Sequence, residues 1–120
     1  MGPAAEVADW YMAHVPDGLV CYWDFDDPAI PDAPWDTSAT AIAAAALAKL
    51  APRAGDRYRI AAERTVSALL DRHVDRRGAL QDGCYNRLKH LATRHDLVWG
   101  DYFLLEAMLA LDGTIDPARL

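Results

Sequence analysis

Asp36-Thr37-Ser38-Ala39-Thr40-Ala41-Ile42-Ala43-Ala44-Ala45-Ala46-Leu47-Ala48-Lys49-Leu50 is the stretch on which the fold turns. Alanine and leucine are strong helix formers, and an Asp or Ser oxygen at its start can accept the free N–H groups of a first turn. The stretch predicts a helix that begins at Asp36-Thr37-Ser38 and ends before Pro52, since a residue ahead of proline is pushed out of the helical region. Nearly every face of this helix is Ala, Ile or Leu, so it must be buried on more than one side.

Outward from it, the helices differ in kind. Upstream, Ala4 to His14 reads as a helix ended by the Pro16-Asp17-Gly18 turn. Leu19 to Phe25 alternates enough to pair weakly as a strand, and a loop with Pro28, Pro31 and Pro34 follows. Downstream, Asp56 to His73 places Tyr58, Ala62, Val66, Leu69 and His73 on one stripe and Arg57, Glu63, Arg64 and Arg72 elsewhere, which describes a helix with one wet face. After an irregular segment, Asp75 to Asp96, a last helix from Gly100 to Leu111 is apolar almost all round and is expected to be buried. A four-helix bundle would show four similar one-sided stripes. Here one-sided helices alternate with all-round apolar ones, which implies an outer and an inner layer. The expected fold is all-α: part of a larger α/α toroid, about four helices alternating outer and inner, with residues 1–120 as one segment of that domain.

With 120 residues the chain can bury one modest core. Twelve basic against eighteen acidic residues leave a net charge of −6, which argues against nucleic acid or an anionic membrane bound through bulk charge. The apolar run Ala41 to Ala48 is far short of the roughly 20 residues a membrane span needs. Met1 to Ala8 lacks a basic segment followed by an apolar one, and Glu6 stands where a myristoylation signal needs Ser or Thr, so a cytoplasmic location is expected. Cys21 and Cys84 fit no metal-ligand spacing and are read as reduced and structural.

Six carboxylates, Asp17, Asp24, Asp26, Asp27, Asp32 and Asp36, crowd one loop region. They lack the glycine and the closing glutamate of a calcium loop. Either they cap and solvate the loop, or two of them stand across a sugar at the separation of about 5 to 9.5 Å that glycoside hydrolysis requires. His14, His73, His90 and His95 form no zinc motif; His73 reads as a packed or helix-end residue, and His90 and His95 are the better placed for a ligand. Ser38 and Ser67 sit in no nucleophile elbow. Trp23, Trp35, Tyr85 and Trp99 adjoin loops leading into an inner helix, where they either stack on sugar rings or close the rim of the core.

Taken in order, Val15-Pro16-Asp17-Gly18, Tyr22-Trp23-Asp24-Phe25, Asp36-Thr37-Ser38-Ala39, Gly83-x-Tyr85-Asn86 and Val98-Trp99-Gly100-Asp101-Tyr102 with Leu105-Glu106-Ala107 resemble the C-terminal part of the unsaturated glucuronyl hydrolases, glycoside hydrolase family 88. The resemblance runs from about Ala4 to Leu111. It implies an (α/α)6 barrel that hydrates the C4=C5 double bond of a terminal unsaturated uronic acid in lyase-generated oligosaccharides, with an aspartate as general acid and base and with no metal or organic cofactor. The two aspartates of that chemistry fall in parts of the family's chain outside this sequence, so no catalytic residue is assigned here and the isolated chain is expected to be inactive. By the same resemblance Trp23, Asp36, Ser38, Tyr85, Asn86, Arg87, Trp99 and Asp101 are the candidate substrate-binding residues. The sequence departs from the family at Asn86, where a histidine is usual, and around Arg87 and Lys89, where a Ser-x-x-Ser-x-Lys pattern marks members acting on sulfated substrates.

The implied partners are an unsaturated uronic-acid oligosaccharide, if the barrel is complete, and either a missing N-terminal segment or a second copy meeting this one through Ala43, Leu47, Leu104 and Met108. Two alternatives stand beside this reading. One is a fragment of an unsaturated rhamnogalacturonyl hydrolase of family 105. The other is a helical interaction module that kept the barrel's packing and lost its chemistry.

Overall fold

A computed structural model describes residues 2–119. These form four α-helices, α1 (Pro3–His14), α2 (Thr37–Ala54), α3 (Asp56–Arg72) and α4 (Val98–Leu111), and a short 3-10 turn at Pro117–Arg119. α2 and α4 are parallel: Ser38 and Gly100 meet at their N-terminal ends, and Lys49 pairs with Glu106 farther along both. α3 lies behind the joint and packs on the two of them, while α1 rests more lightly on α2. Alternation of outer and inner helices is thus present, and α2 is the hub.

The core follows from that placement. Ala41, Ala44 and Ala45 of α2 meet Val66 and Leu69 of α3, Leu104 and Ala107 of α4, and Val20 and Leu80 from the loops. A second cluster joins Leu47 and Ala48 to Ala5, Tyr58, Ala62 and Ala110. Small side chains on α2 let three helices approach it closely, which is what an alanine-rich inner helix permits. α3 has the expected single apolar stripe, with Tyr58, Ala62, Thr65, Val66 and Leu69 buried. The Tyr58 hydroxyl donates to Asp9 Oδ1 at 2.8 Å, and Arg57 reaches the same oxygen at 2.6 Å, tying α3 to α1.

Several expectations need correction. α2 does not stop before Pro52 but carries it inside its last turn. There a proline forfeits one helical hydrogen bond and crowds the carbonyl of Ala48 four residues back. The stop comes at Gly55, whose φ of 134° no side chain would tolerate cheaply. α4 begins two residues earlier than Gly100, at Val98. Leu19 to Phe25 is no strand; only an isolated antiparallel bridge joins Tyr22 to Trp35. Nor is α4 buried all round: Gly100, Leu104, Glu106, Ala107 and Ala110 are buried, whereas Val98, Tyr102 and Leu105 are exposed. Its composition suits neighbours on both sides, and this chain provides them on one. Leu47 and Leu104 belong to the internal core, so the contact between copies drawn through them is not available.

Candidate functional site

The N-terminal ends of α2 and α4 and the loops that precede them gather most of the candidate residues. Asp36 is the N-cap of α2, and its Oδ1 accepts from Ser38 N at 3.2 Å, Ser38 Oγ at 2.6 Å, Ala39 N at 3.3 Å and Cys84 N at 3.3 Å. The first three contacts are those of a helix cap. The fourth fastens the loop carrying Tyr85, Asn86 and Arg87 to the start of α2. Gly83 lets that loop fold on itself, because a Cβ there would lie 2.9 Å from both the His95 carbonyl oxygen and Leu97 Cδ1. Backbone bridges Gly83 to His95 and Asn86 to Leu91 close it into a hairpin-like excursion. Asn86 Oδ1 accepts from Lys89 N at 3.1 Å and shapes its tip.

α4 enters against the same point. A Cβ on Gly100 would lie 3.2 Å from Ser38 Cβ and 3.3 Å from Leu80 Cδ2, so glycine sets how closely the two inner helices begin. Asp101 Oδ1 accepts from Leu80 N at 2.7 Å. Interaction with the neighbouring Asp101 carboxyl, lost hydration and the charge of Asp75 hold the Asp96 carboxyl above the ordinary aspartate value. This carboxyl pair straddles the entry to α4, five residues apart in sequence, and the sequence reading of Asp101 alone missed it. An Asp on either side of a helix start was the available signal.

The aromatic candidates separate. Trp99 and Tyr85 form a tilted pair with ring centroids 5.9 Å apart, and 38% and 62% of their surfaces are exposed. Trp23 is half-buried and donates its indole N–H to Asp27 Oδ2 at 2.6 Å. Asp27 is held below the usual carboxylate range by the Ala29 N–H and by that indole. The positive charge of Arg87 also favours the ionised carboxylate of Asp27. Arg87 Nη1 lies 2.8 Å from His90 Nδ1, and its Nε is buried without a hydrogen-bond partner. Trp35 belongs elsewhere: it stacks on Tyr22 at 4.2 Å and meets the edge of His73 at 6.3 Å, half-buried against the core.

His73 is the C-cap of α3, buried, with Nδ1 2.8 Å from Asp82 Oδ2. His90 and His95 are exposed at the loop, and His14 stacks on Trp10. Both cysteines are free and buried, and lost hydration pushes both thiols up, as an inert structural thiol requires. Among the described residues no group of three or more His, Cys, Asp or Glu side chains is placed to hold a metal ion. Nor is any helix among them long and apolar enough to cross a membrane.

Comparison with known proteins gives this end of the molecule its context. No family model matches the chain. The unsaturated glucuronyl hydrolase of Bacillus sp. (strain GL1) is 34% identical over 120 residues, 91% of this chain and 32% of that protein. The chain is similar to the unsaturated glucuronyl hydrolases. That of Formosa agariphila is 33% identical over 117 residues, 90% of this chain and 29% of its own length. The crystal structure of the Bacillus sp. GL1 unsaturated glucuronyl hydrolase, described as responsible for the degradation of glycosaminoglycan, superposes with a TM-score of 0.85 at 32% identity, over 92% of this chain and 32% of the other. A variant unsaturated glucuronyl hydrolase with dGlcA-Glc-Rha-Glc superposes equally well. The unsaturated glucuronyl hydrolase of Streptococcus agalactiae does so with a TM-score of 0.68 at 25% identity, over 85% of this chain and 30% of the other. The chain spans about a third of the length of the curated relatives it matches. Its four helices are accordingly a partial toroid.

Proposed function

We propose that this chain is the C-terminal third of an (α/α)6 barrel that hydrates the C4=C5 double bond of terminal unsaturated uronic acids in lyase-generated oligosaccharides. The observation that carries this reading is the superposition at TM-score 0.85 on one third of the Bacillus enzyme. Its share of the work is recognition. Exposed rings of Tyr85 and Trp99 offer flat apolar faces to a sugar, and the guanidinium of Arg87, two residues along the same loop from Tyr85, suits a uronate carboxylate. Asp36 and Ser38 set the start of α2, and Asp101 that of α4, so these three hold the rings in place. Trp23 and Asn86 shape the adjoining loops. The proton donor for the double bond lies outside this chain, and alone the chain does not turn over substrate. The free buried thiols support a cytoplasmic setting.

A chimera tests this. Replacing the matching third of the Bacillus sp. GL1 enzyme by this chain is expected to leave a hydrolase whose activity is followed by loss of the double bond's ultraviolet absorbance. Trp99→Ala in that chimera is expected to raise KM five- to tenfold, the equivalent of about 1 kcal/mol of ring stacking. The isolated chain is expected to show no turnover. Turnover by the chain alone that vanishes in Asp36→Asn or Asp101→Asn would move the catalytic acid into it.

A further inference from the structure

Residues 80–84 lead into the Tyr85 loop and are fastened to three helices on the way. Leu80 donates its N–H to Asp101 of α4 at 2.7 Å, and Cys84 donates to Asp36 at the start of α2 at 3.3 Å. Gln81 donates its N–H to the His73 carbonyl at the end of α3 at 2.7 Å, and its own carbonyl accepts from the Thr37 hydroxyl. Thr37 in turn donates its N–H to the Asp82 carbonyl at 3.2 Å. Asp82 is where the segment turns: alone among the five residues it has a positive φ, 65°, a left-handed value that costs Asp and Asn less than most residues with a Cβ. His73 steadies it there, with Nδ1 2.8 Å from Asp82 Oδ2. A carboxylate only accepts, so Nδ1 carries the proton and donates it to this bond. His73 is itself fixed: it is buried, its N–H reaches the Leu69 carbonyl at 2.9 Å, and its ring meets Trp35 at an edge.

We infer that His73 and Asp82 are a positioning pair for sugar binding: the outer helix α3, through His73, holds Asp82 in its left-handed turn and so sets Tyr85, three residues on, against Trp99. This rests on the reading of Tyr85 and Trp99 as the rings that meet the sugar. The pair acts through the loop. A ring displaced by its loss weakens the binding of substrate and transition state alike, which raises KM and leaves kcat unchanged. A general loss of folding instead lowers the amount of active enzyme and leaves KM where it was.

In the active chimera, His73→Leu and Asp82→Ala are each expected to raise KM for an unsaturated glucuronyl disaccharide about fivefold with kcat within about twofold. The double variant is expected to do no more than either alone, since both substitutions break one contact. His73→Asn keeps a side-chain N–H near the place of Nδ1, and Asp82→Asn keeps an accepting oxygen and tolerates the left-handed turn; both are expected to hold KM within about twofold of the parent. An unchanged KM in both disruptive variants overturns the inference, as do effects that multiply in the double variant or a fall in kcat alone. A chimera that is inactive with His73 and Asp82 intact counts against the proposed function, and amide exchange in this chain then decides on the pair. There Asp82→Ala is expected to speed exchange at Gln81 and Cys84 about tenfold while amides in the middle of α2 keep their rates. Unchanged exchange at both positions overturns the pair's role.

Discussion

α2 and α4 run side by side and have nearly the same reading as sequence, apolar on almost every face, yet their surroundings differ. α2 has α1, α3 and α4 around it and buries residues along most of its length. α4 has α2 and α3, and the side turned from them carries exposed Val98, Tyr102 and Leu105. All-round hydrophobicity records how many neighbours a helix is built for. The number it has is a separate fact, and the gap between the two marks where a further surface belongs. Adjacent leucines measure that gap: Leu104 is 5% exposed and Leu105 55%. In a monomeric state, Leu104→Ala is expected to cost about 3 kcal/mol in urea unfolding, as for a filled core position, and Leu105→Ala about 0.5 kcal/mol or less. If the two substitutions cost the same at low concentration, α4 is already enclosed and the contrast with α2 disappears.

The two helices are also fastened differently where they start. Asp36 caps α2 through its side chain, whereas Leu97, at the corresponding place on α4, has no side-chain oxygen to offer. α4 is held instead by the Gly100 contact with Ser38 and by Asp101 accepting the Leu80 N–H. Asp36→Ala removes the acceptor shared by Ser38, Ala39 and Cys84, and is expected to cost about 2 kcal/mol. Roughly half of that is the loss of the cap, and the rest the Cys84 N–H left without its acceptor. Chemical denaturation measures the cost, and amide exchange at Cys84 and Tyr85 shows whether the loop comes loose with it. An unchanged loop would mean that Gly83 and its bridges hold that segment without help from α2.

Much of this was legible because helices announce themselves by composition and by their ends. The alanine run after Asp36, the one-sided stripe of α3 and the alternation between the two helix types were enough for a layered α-fold. Local signals failed where the outcome depended on distant partners. Pro52 reads as a stop, but the last turn of α2 absorbs it, and Gly55 ends the helix. Trp35 reads like Trp23 and Trp99 as a loop aromatic, yet Tyr22 and His73 draw it against the core. The Cys84 N–H donating to Asp36 Oδ1 joins residues forty-eight positions apart, a proximity no spacing rule could supply. Similarity of the whole ordered set of motifs recovered what single residues could not, because it carries the tertiary arrangement implicitly.

The smallest expected effect concerns the same end of α4, where α2 has no counterpart. Asp96 stands against the Asp101 carboxyl, and the raised Asp96 carboxyl keeps its proton in the folded chain at pH values where the unfolded chain has lost it. The folded state then binds more protons than the unfolded state, so this group's contribution falls as pH rises from the ordinary value of 3.8 through the raised one. Above that window Asp96 is ionised in both states and stands against the charges of Asp101 and Asp75, with Arg77 the opposing cation. Asp96→Asn removes the titration while leaving an amide that can donate to Asp101. Urea midpoints taken from pH 4 to 7 are expected to decline less with pH in the variant than in the parent chain, and to be higher in the variant at pH 7. Asp36→Asn, at a carboxylate that accepts four hydrogen bonds and faces no second carboxyl in such a pair, is expected to lower the midpoint at pH 7. Equal and parallel pH curves for the parent and Asp96→Asn would mean that the two carboxyls do not share a proton and that α4 starts as free of strain as α2.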